Sequence, residues 1–356
     1  MSPEHGRNRP SVRETDTANI RVAFRESGSP SSPPFILLHG NCSSSVFFEP
    51  LMTELQPHFR TLAPDLRGFG ATEALPIDAR RGLRDWSDDL AAWLDALGLA
   101  EPVHLLGWSL GGGVAMQFAI DHPERVRRLI LESPLSPFGF GGTVSADGQP
   151  AYSDFAGSGG GTVNPEFVTR IERGEREAVD ANSPRAVMNQ FYFRPPFRVE
   201  PALEERLVDG LLSTRTGPGF YPGSLRPSDN WPGVAPGDDG TANAMAAGAV
   251  NLMPLVDIEP KAPVLWIRGD SDAIVSDQSL LDFGTLGKLQ AVPGWPGDAR
   301  FPPQPMVSQM RYVLEHYQNN GGHYEELVVP EAGHSPHLER PDVVTPVIIR
   351  FLRGGG

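Results

Sequence analysis

The chain has 356 residues, a formal net charge of −14 and a single cysteine. Its length favours one core domain that carries an insertion over two large independent domains. The negative charge, without any cluster of Lys and Arg, argues against nucleic acid or a membrane surface as a partner. Because Cys42 is the single cysteine, an intrachain disulfide framework is excluded.

The N-terminal segment is polar. Residues 1–18 contain no apolar stretch of the kind found in signal peptides, and no later run is long enough to span a bilayer. We therefore expect a cytoplasmic protein with a flexible N-terminus over residues 1–18.

The next stretch alternates predicted strands and helices. Residues 19–25 alternate polar and apolar side chains, as a half-exposed edge strand does, whereas residues 35–38 form a continuous apolar run typical of a strand buried on both faces. Residues 60–65 predict another short strand. Apolar residues then recur every three or four positions over 83–97, which predicts a helix that ends near Gly98.

Residues 103–106 form another apolar run, and a G-x-S-x-G motif follows at 107–111 and opens a predicted helix. A further strand is predicted over 128–132, and two more over 264–269 and 326–330. Strands that alternate with helices indicate a mostly parallel sheet flanked by helices, an α/β fold.

Residues 134–260 differ in character, with many glycines, prolines and aromatic residues. Helices are predicted over 166–178 and 201–212, and loops over 157–161 and 215–240. The predicted organisation of the chain is a flexible N-terminus (1–18), the first part of the core (19–133), an inserted cap (134–260) and the second part of the core (261–356).

Ser109, at the centre of the G-x-S-x-G motif, is the candidate nucleophile. Glycines on both sides of it permit a sharp, strained turn that lifts the serine hydroxyl above the sheet edge. A serine hydroxyl is a weak nucleophile at neutral pH, so it needs a base within hydrogen-bond reach and a carboxylate that orients the base.

Candidates for both groups follow predicted strands. Asp270 and Asp272 come directly after the strand at 264–269, and His334 and His337 come after the strand at 326–330. Open parallel sheets place their sites at the carboxyl ends of their strands, so these side chains are expected to lie near Ser109.

With a serine, an aspartate and a histidine in this order, the chain resembles the serine hydrolases of the α/β-hydrolase fold, in particular esterases and lipases with an inserted cap. The resemblance covers about residues 19–133 and 262–352. The family places its acid three residues after a glycine in a G-x-x-D-x-I-V-like stretch, which favours Asp272 over Asp270.

The histidine of the family lies in a G-H-x-x-x-x-E-x-P-like context, which residues 333–341 match. The resemblance therefore favours His334 as the base, ahead of His337 and His323. These two are interpreted as surface or supporting histidines, with His337 as a lesser candidate for the pocket wall.

The oxyanion formed during acyl transfer needs two backbone N–H donors. The G-x-S-x-G turn at 107–111, called here the elbow, supplies the Leu110 N–H. Residues 39–42 resemble the H-G-x-x motif of the family, which implies the Asn41 N–H as the second donor. His39 then fixes the loop, and Cys42 is interpreted as a small buried hydrophobe rather than a nucleophile.

The resemblance implies a carboxylic-ester hydrolase that acts on a small-molecule, largely apolar substrate through an acyl-Ser109 intermediate, without cofactor or metal. Alternatives are lactone, thioester, amide or carbon–carbon bond hydrolysis by the same triad, and more remotely a ligand receptor or a hydroxynitrile lyase. The elbow at 107–112 also resembles that of carboxylesterases that demethylate pimeloyl-carrier esters. The Pro-rich stretch at 293–305 either borders the substrate entrance or is an elongated connection, and nothing in the pattern predicts an oligomeric state.

Overall fold

The structure is a computed structural model that describes residues 9–354. Its strands are β1 (Ser11–Asp16), β2 (Arg21–Ser27), β3 (Pro34–Leu38), β4 (Arg60–Pro64), β5 (Val103–Trp108), β6 (Val126–Glu132), β7 (Leu225–Pro227), β8 (Val234–Pro236), β9 (Val264–Gly269) and β10 (Tyr324–Val329). Its α-helices are α1 (Glu49–Leu55), α2 (Arg84–Ala96), α3 (Leu110–Asp121), α4 (Pro165–Glu172), α5 (Pro184–Val187), α6 (Pro201–Leu212), α7 (Thr241–Ala244), α8 (Phe283–Lys288), α9 (Met306–Asn319), α10 (Pro336–Glu339) and α11 (Pro341–Leu352).

Eight of the strands form one sheet in the order β1-β2-β4-β3-β5-β6-β9-β10. The pairs β1–β2 and β2–β4 are antiparallel, and the remaining pairs are parallel. In the parallel part, Leu38 pairs with Gly107, Trp108 with Glu132 and Gly269 with Val329. The carboxyl ends of these strands are therefore level, and the loops that follow them meet at one edge.

Alternate residues of the central strands enter different hydrophobic clusters. Ile36 and Leu105 pack with helices α2, α3 and α9 on one face, while Leu37 and Leu106 pack with α1, α6 and α11 on the other. The sheet is thus covered by helices on both faces, which explains the continuous apolar runs of its strands. Within residues 9–354, no helix has both the length and the apolar character needed to cross a bilayer.

Two details of the N-terminal prediction were wrong. Residues 1–8 lie outside the described part of the chain, but Ser11–Asp16, expected to be flexible, forms β1 at the sheet edge. The strand predicted at 19–25 is β2 and therefore the second strand, not the edge. Strand β1 was missed because its side chains are nearly all exposed, so it carries no apolar period.

Residues 134–260, called here the inserted segment, connect β6 to β9, two neighbours in the sheet. The segment contains α4 to α7, a π-helical turn at Met188–Tyr192 and the small β7–β8 pair. That pair lies in the stretch predicted to be a loop at 215–240, and α4 ends earlier than the predicted helix over 166–178.

Candidate active site

Ser109 lies in the turn between β5 and α3, with φ 57° and ψ −121°. Positive φ is strained for a non-glycine residue, and such strain is often found at functional sites. Neighbouring glycines make the turn possible: a Cβ atom on Gly107 would lie 2.1 Å from Gly111 O, and one on Gly111 would lie 2.1 Å from Leu38 O. The turn is anchored by the Ser109 N–H, which donates to Glu132 O at 3.0 Å.

His334 and Asp272 form a buried pair. The His334 Nδ1 lies 2.9 Å from Asp272 Oδ2, and both side chains are almost completely shielded from solvent. The other oxygen of Asp272 accepts the backbone N–H groups of Ile274 and Val275, at 2.8 and 3.0 Å. Because these bonds fix the carboxylate, it can hold the imidazole in the tautomer that leaves Nε2 free to accept a proton.

The structure separates the alternative candidates from this pair. Asp270 is exposed and bonds to the neighbouring Ser271 hydroxyl, and the His323 side chain is 62% exposed. His337 is completely buried, which excludes the surface alternative and leaves the supporting one, and it does not line the cavity described below.

The elbow is in direct contact with the loop that carries His334, called here the histidine loop. Trp108, which precedes Ser109, donates its indole N–H to His334 O at 2.7 Å, and its ring centroid lies 5.6 Å from that of the imidazole. Within the described residues, the Ser109 hydroxyl itself makes no hydrogen bond of 3.5 Å or less. Hydrogen bonds of this kind often become short only when a substrate is bound.

Hydrogen bonds of the His39 side chain hold residues 39–42, the loop predicted to supply an oxyanion donor and called here the oxyanion loop. Leu66 N–H donates to His39 Nε2 at 2.9 Å, so the proton of this ring is on Nδ1, which donates to Gly40 O at 2.8 Å. Burial lowers the pKa of His39 to about 4, which keeps the ring neutral at pH 7. The Ser43 hydroxyl donates to the same Gly40 oxygen at 2.7 Å.

These bonds determine where the Asn41 N–H points. In a trans peptide the C=O and N–H groups point in opposite directions, so the Asn41 N–H is directed away from the two donors that hold Gly40 O. Asn41 and Leu110 both line the cavity, and neither N–H donates to an acceptor among residues 9–354. Both predicted donors are therefore N–H groups without an acceptor among the described residues, on residues that line the same cavity as Ser109.

Cys42 is buried next to this loop, and burial raises the pKa of its thiol to about 12. At neutral pH almost no thiolate is present, so Cys42 is no competing nucleophile. The neighbouring Tyr192 hydroxyl lies 3.2 Å from Asn41 O and 3.0 Å from Cys42 O. Sequence reasoning missed Tyr192, because it is separated from Asn41 by 151 positions and lies in no motif.

Glu132 and His337 form a second buried pair that sequence reasoning also missed. Glu132 Oε1 accepts the His337 backbone N–H at 2.8 Å and lies 3.0 Å from Nδ1, while His337 Nε2 lies 3.2 Å from Phe47 O. Glu132 also supplies the carbonyl that anchors Ser109. The pair therefore links the elbow to the loop that carries His334.

Glu339, the glutamate of the matched histidine motif, connects the same loop to the inserted segment. One oxygen accepts Gly333 N–H at 2.7 Å, and the other accepts Arg194 N–H at 2.5 Å. Burial raises the pKa of Glu339. The Glu339 side chain thus connects Gly333, the residue before His334, to Arg194 of the inserted segment.

A cavity of about 440 Å³ opens above Ser109. Ser109, Leu110 and Asn41 form its contact with the sheet edge, while the His334–Asp272 pair is buried and not part of its surface. Most of its wall comes from the inserted segment, and Ile274, Val275, Leu281 and Leu286 complete it. None of residues 293–305 is part of this wall.

The wall is uncharged. Its side chains are apolar or neutral and polar, and none of the described residues that line it is Lys, Arg, His, Asp or Glu. Within residues 9–354, no three His, Cys, Asp or Glu side chains come together as a metal site would require. The cavity is thus suited to an uncharged, largely apolar molecule.

Comparisons with known proteins agree with this architecture. A family profile described as alpha/beta hydrolase fold matches residues 33–294. The chain is 33% identical to a 2-hydroxymuconate semialdehyde hydrolase of a Pseudomonas species over 224 residues, which cover 60% of this chain and 71% of that protein. It is 37% identical to carboxylesterase YbfK of Bacillus subtilis over 112 residues, 32% of this chain and 37% of that protein.

A crystal structure of carboxylesterase CesB (YbfK) from Bacillus subtilis superposes with a TM-score of 0.59 at 19% identity. The superposition covers 98% of this chain and 93% of that chain. At this level of identity, the likeness concerns the fold.

Proposed function

The chain belongs to the α/β-hydrolase family, and we propose that it hydrolyses a carboxylic ester of a small to medium, largely apolar substrate through an acyl-Ser109 intermediate. In this proposal Ser109, His334 and Asp272 form the catalytic triad, and Asn41 and Leu110 donate to the oxyanion. The inserted segment over 134–260 acts as the cap above the site.

The proposed reaction uses the Ser109 hydroxyl, the His334–Asp272 pair and the Asn41 and Leu110 N–H groups in the following order. As Ser109 Oγ bonds to the ester carbonyl carbon, His334 Nε2 takes the hydroxyl proton, and the negative charge moves to the carbonyl oxygen. The Asn41 and Leu110 N–H groups stabilise this oxygen, and Asp272 stabilises the imidazolium. When the intermediate collapses, the alcohol leaves with the proton from His334.

Water then attacks the acyl-serine in the same way. His334 takes a proton from the water, the oxyanion forms again at the same donors, and collapse returns the proton to Ser109 Oγ. The products are the carboxylic acid and the alcohol, and no other reactant is needed.

The uncharged wall of the cavity is the observation that favours a neutral ester as the substrate. Transfer of an ionised carboxylate into such a cavity without a cationic partner is strongly unfavourable. Neutral esters avoid this cost, and their carbonyl group can reach Ser109 with an apolar group on either side.

Carbon–carbon bond hydrolysis is the second candidate, and the identity to the 2-hydroxymuconate semialdehyde hydrolase favours it. The names of related hydrolases, such as 2-hydroxy-6-oxo-2,4-heptadienoate hydrolase, describe substrates that carry a carboxylate. Such a substrate needs a cationic partner, which the described cavity wall does not provide.

The test compares wild type and Ser109→Ala on p-nitrophenyl esters from acetate to decanoate. We expect turnover that depends on Ser109, with an optimum chain length that reflects the cavity. A matched pair of similar length, the p-nitrophenyl valerate and the p-nitrophenyl hemisuccinate, should show strong preference for the neutral ester. Equal activity of the two proteins would exclude Ser109 as the nucleophile, and faster cleavage of a 2-hydroxy-6-oxo-dienoate than of any ester would favour the second candidate.

A further inference from the structure

We propose that Tyr192 is a positioning residue through which the inserted segment holds the oxyanion loop in its active geometry, an inference that rests on the proposed function. Tyr192 ends the π-helical turn at Met188–Tyr192. π-helical turns are rare in proteins as a whole, but those that occur are often found at functional sites.

The hydroxyl of Tyr192 faces two successive carbonyl groups of the loop. It lies 3.2 Å from Asn41 O and 3.0 Å from Cys42 O, so its single proton is shared between them. Burial raises the pKa of Tyr192 well above its ordinary value, so the hydroxyl is protonated and can donate at neutral pH.

These contacts restrain the part of the loop that His39 does not reach. His39 and Ser43 hold Gly40 O, which fixes the peptide that carries the Asn41 N–H on one side. Tyr192 fixes the next two peptides through their carbonyl groups, and between these Cys42 has a strained φ of 46°. Without the hydroxyl, the loop could relax from this conformation and turn the Asn41 N–H away from the oxyanion.

The position of Tyr192 is itself fixed by both halves of the site. Its ring lies 5.9 Å from the Trp108 ring and 6.4 Å from the His334 ring. Two residues further on, Arg194 N–H donates to Glu339, which also holds the residue before His334. The stretch at 192–194 therefore bridges the oxyanion loop and the histidine loop.

The inference is that the inserted segment contributes to the bond-making step as well as to substrate binding. A hydroxyl that only stabilised the fold would affect melting alone, and one that only shaped the cavity would affect KM. Positioning of the oxyanion donor instead predicts a lower kcat and a slower reaction with any reagent that places an oxygen in the oxyanion site.

The experiment compares wild type, Tyr192→Phe and Tyr317→Phe. Tyr317 is the matched control, because its buried hydroxyl also donates to a backbone carbonyl, Ala262 O at 2.7 Å, but outside the cavity. Each protein is treated with a fluorophosphonate, from which Ser109 Oγ displaces fluoride while the phosphoryl oxygen occupies the oxyanion site. The rate of this labelling, kcat and KM on the best p-nitrophenyl ester and the melting temperature are measured.

For Tyr192→Phe we expect labelling and kcat to fall about tenfold, less than the loss on removal of a donor itself, with KM changed by less than about twofold. Tyr317→Phe should label at the wild-type rate despite a lower melting temperature. Wild-type labelling of Tyr192→Phe, or a rise in KM with unchanged kcat, would overturn the inference. A wild-type protein that is not labelled, or labelling that persists in Ser109→Ala, would instead overturn the proposed function.

Discussion

The sheet edge and the inserted segment form the same cavity from two different kinds of structure. At the edge, Ser109, Asp272 and His334 lie in the first few residues after strands whose pairing fixes the start of each loop. The inserted segment contributes short helices, turns and one small strand pair, and supplies most of the uncharged wall. In the proposed function, the groups that make and break bonds are therefore placed by strand pairing, whereas most of the wall that would select the substrate is formed by irregular structure.

This contrast predicts the largest effect for Asp272→Asn. The amide can still accept the Ile274 and Val275 N–H groups, but it holds His334 in the wrong tautomer, so we expect kcat to fall on the order of 10³- to 10⁴-fold. KM should change little. Asp270→Asn, on the exposed neighbour, is the control and should retain wild-type kcat; a loss of similar size in both variants would contradict the assignment of the acid.

A second prediction concerns stability at the sheet edge. His337→Leu leaves the Glu132 carboxylate buried without its imidazole partner, which should lower the free energy of unfolding by about 3–5 kcal/mol. Urea denaturation measures this loss. The double variant Glu132→Gln/His337→Leu keeps an acceptor for the backbone N–H of residue 337 and should be more stable than His337→Leu, because it removes the buried carboxylate; if it is no more stable, the pair does not act as a charged unit.

A third prediction concerns how the free energy of unfolding depends on pH through the buried carboxyl group of Asp282. This buried carboxyl accepts Thr285 N–H and Gln304 N–H, while its Oδ1 has no partner, and burial raises its pKa to about 6. Because the folded protein holds the proton more tightly than the unfolded chain, the stability that Asp282 contributes at low pH is lost as pH rises from about 4 to about 6.

In Asp282→Asn this loss is absent. The difference in unfolding free energy between the variant and wild type should therefore grow in favour of the variant between pH 4 and pH 6, by an amount on the order of 3 kcal/mol, and then stay constant. Urea denaturation across this pH range measures it. A difference that does not depend on pH would show that Asp282 does not titrate there.

The smallest effect is expected in the inserted segment. Phe167 in α4 lines the cavity, and Phe167→Ala should raise KM for apolar esters about tenfold through lost apolar contact, with kcat nearly unchanged. Val179→Ala, at an exposed position that does not line the cavity, serves as the control. If kcat falls more than KM rises, the division between the two regions is not as simple as their architecture indicates.

The sequence predicted the parts of the site that short patterns encode. Ser109, Asp272 and His334 each lie in a stretch of a few residues that contains its own glycine, so the local turn can be inferred from composition. The structure brings Asp272 and His334 together and leaves Asp270 outside, in line with the preference for Asp272 that the resemblance to the family implied.

Contacts between distant segments could not be predicted in this way. Glu132 and His337 are 205 positions apart, and Tyr192 and Asn41 are 151 positions apart, so no local period or motif links them. His337 in particular has no apolar neighbours in a pattern that would indicate complete burial. Such pairs depend on how the loops and the inserted segment fold onto the sheet edge.

The inserted segment leaves the sheet after β6 and returns at β9, and these strands are hydrogen-bonded neighbours. A segment of another length or shape could therefore replace it during evolution without any change in strand order. A replacement that kept the proposed role of Tyr192 would provide a hydroxyl near the Asn41 and Cys42 carbonyls and an N–H group opposite Glu339. Under the proposed function, exchange of this segment would change the wall of the cavity, and these two contacts are the points at which a new segment would join the catalytic loops.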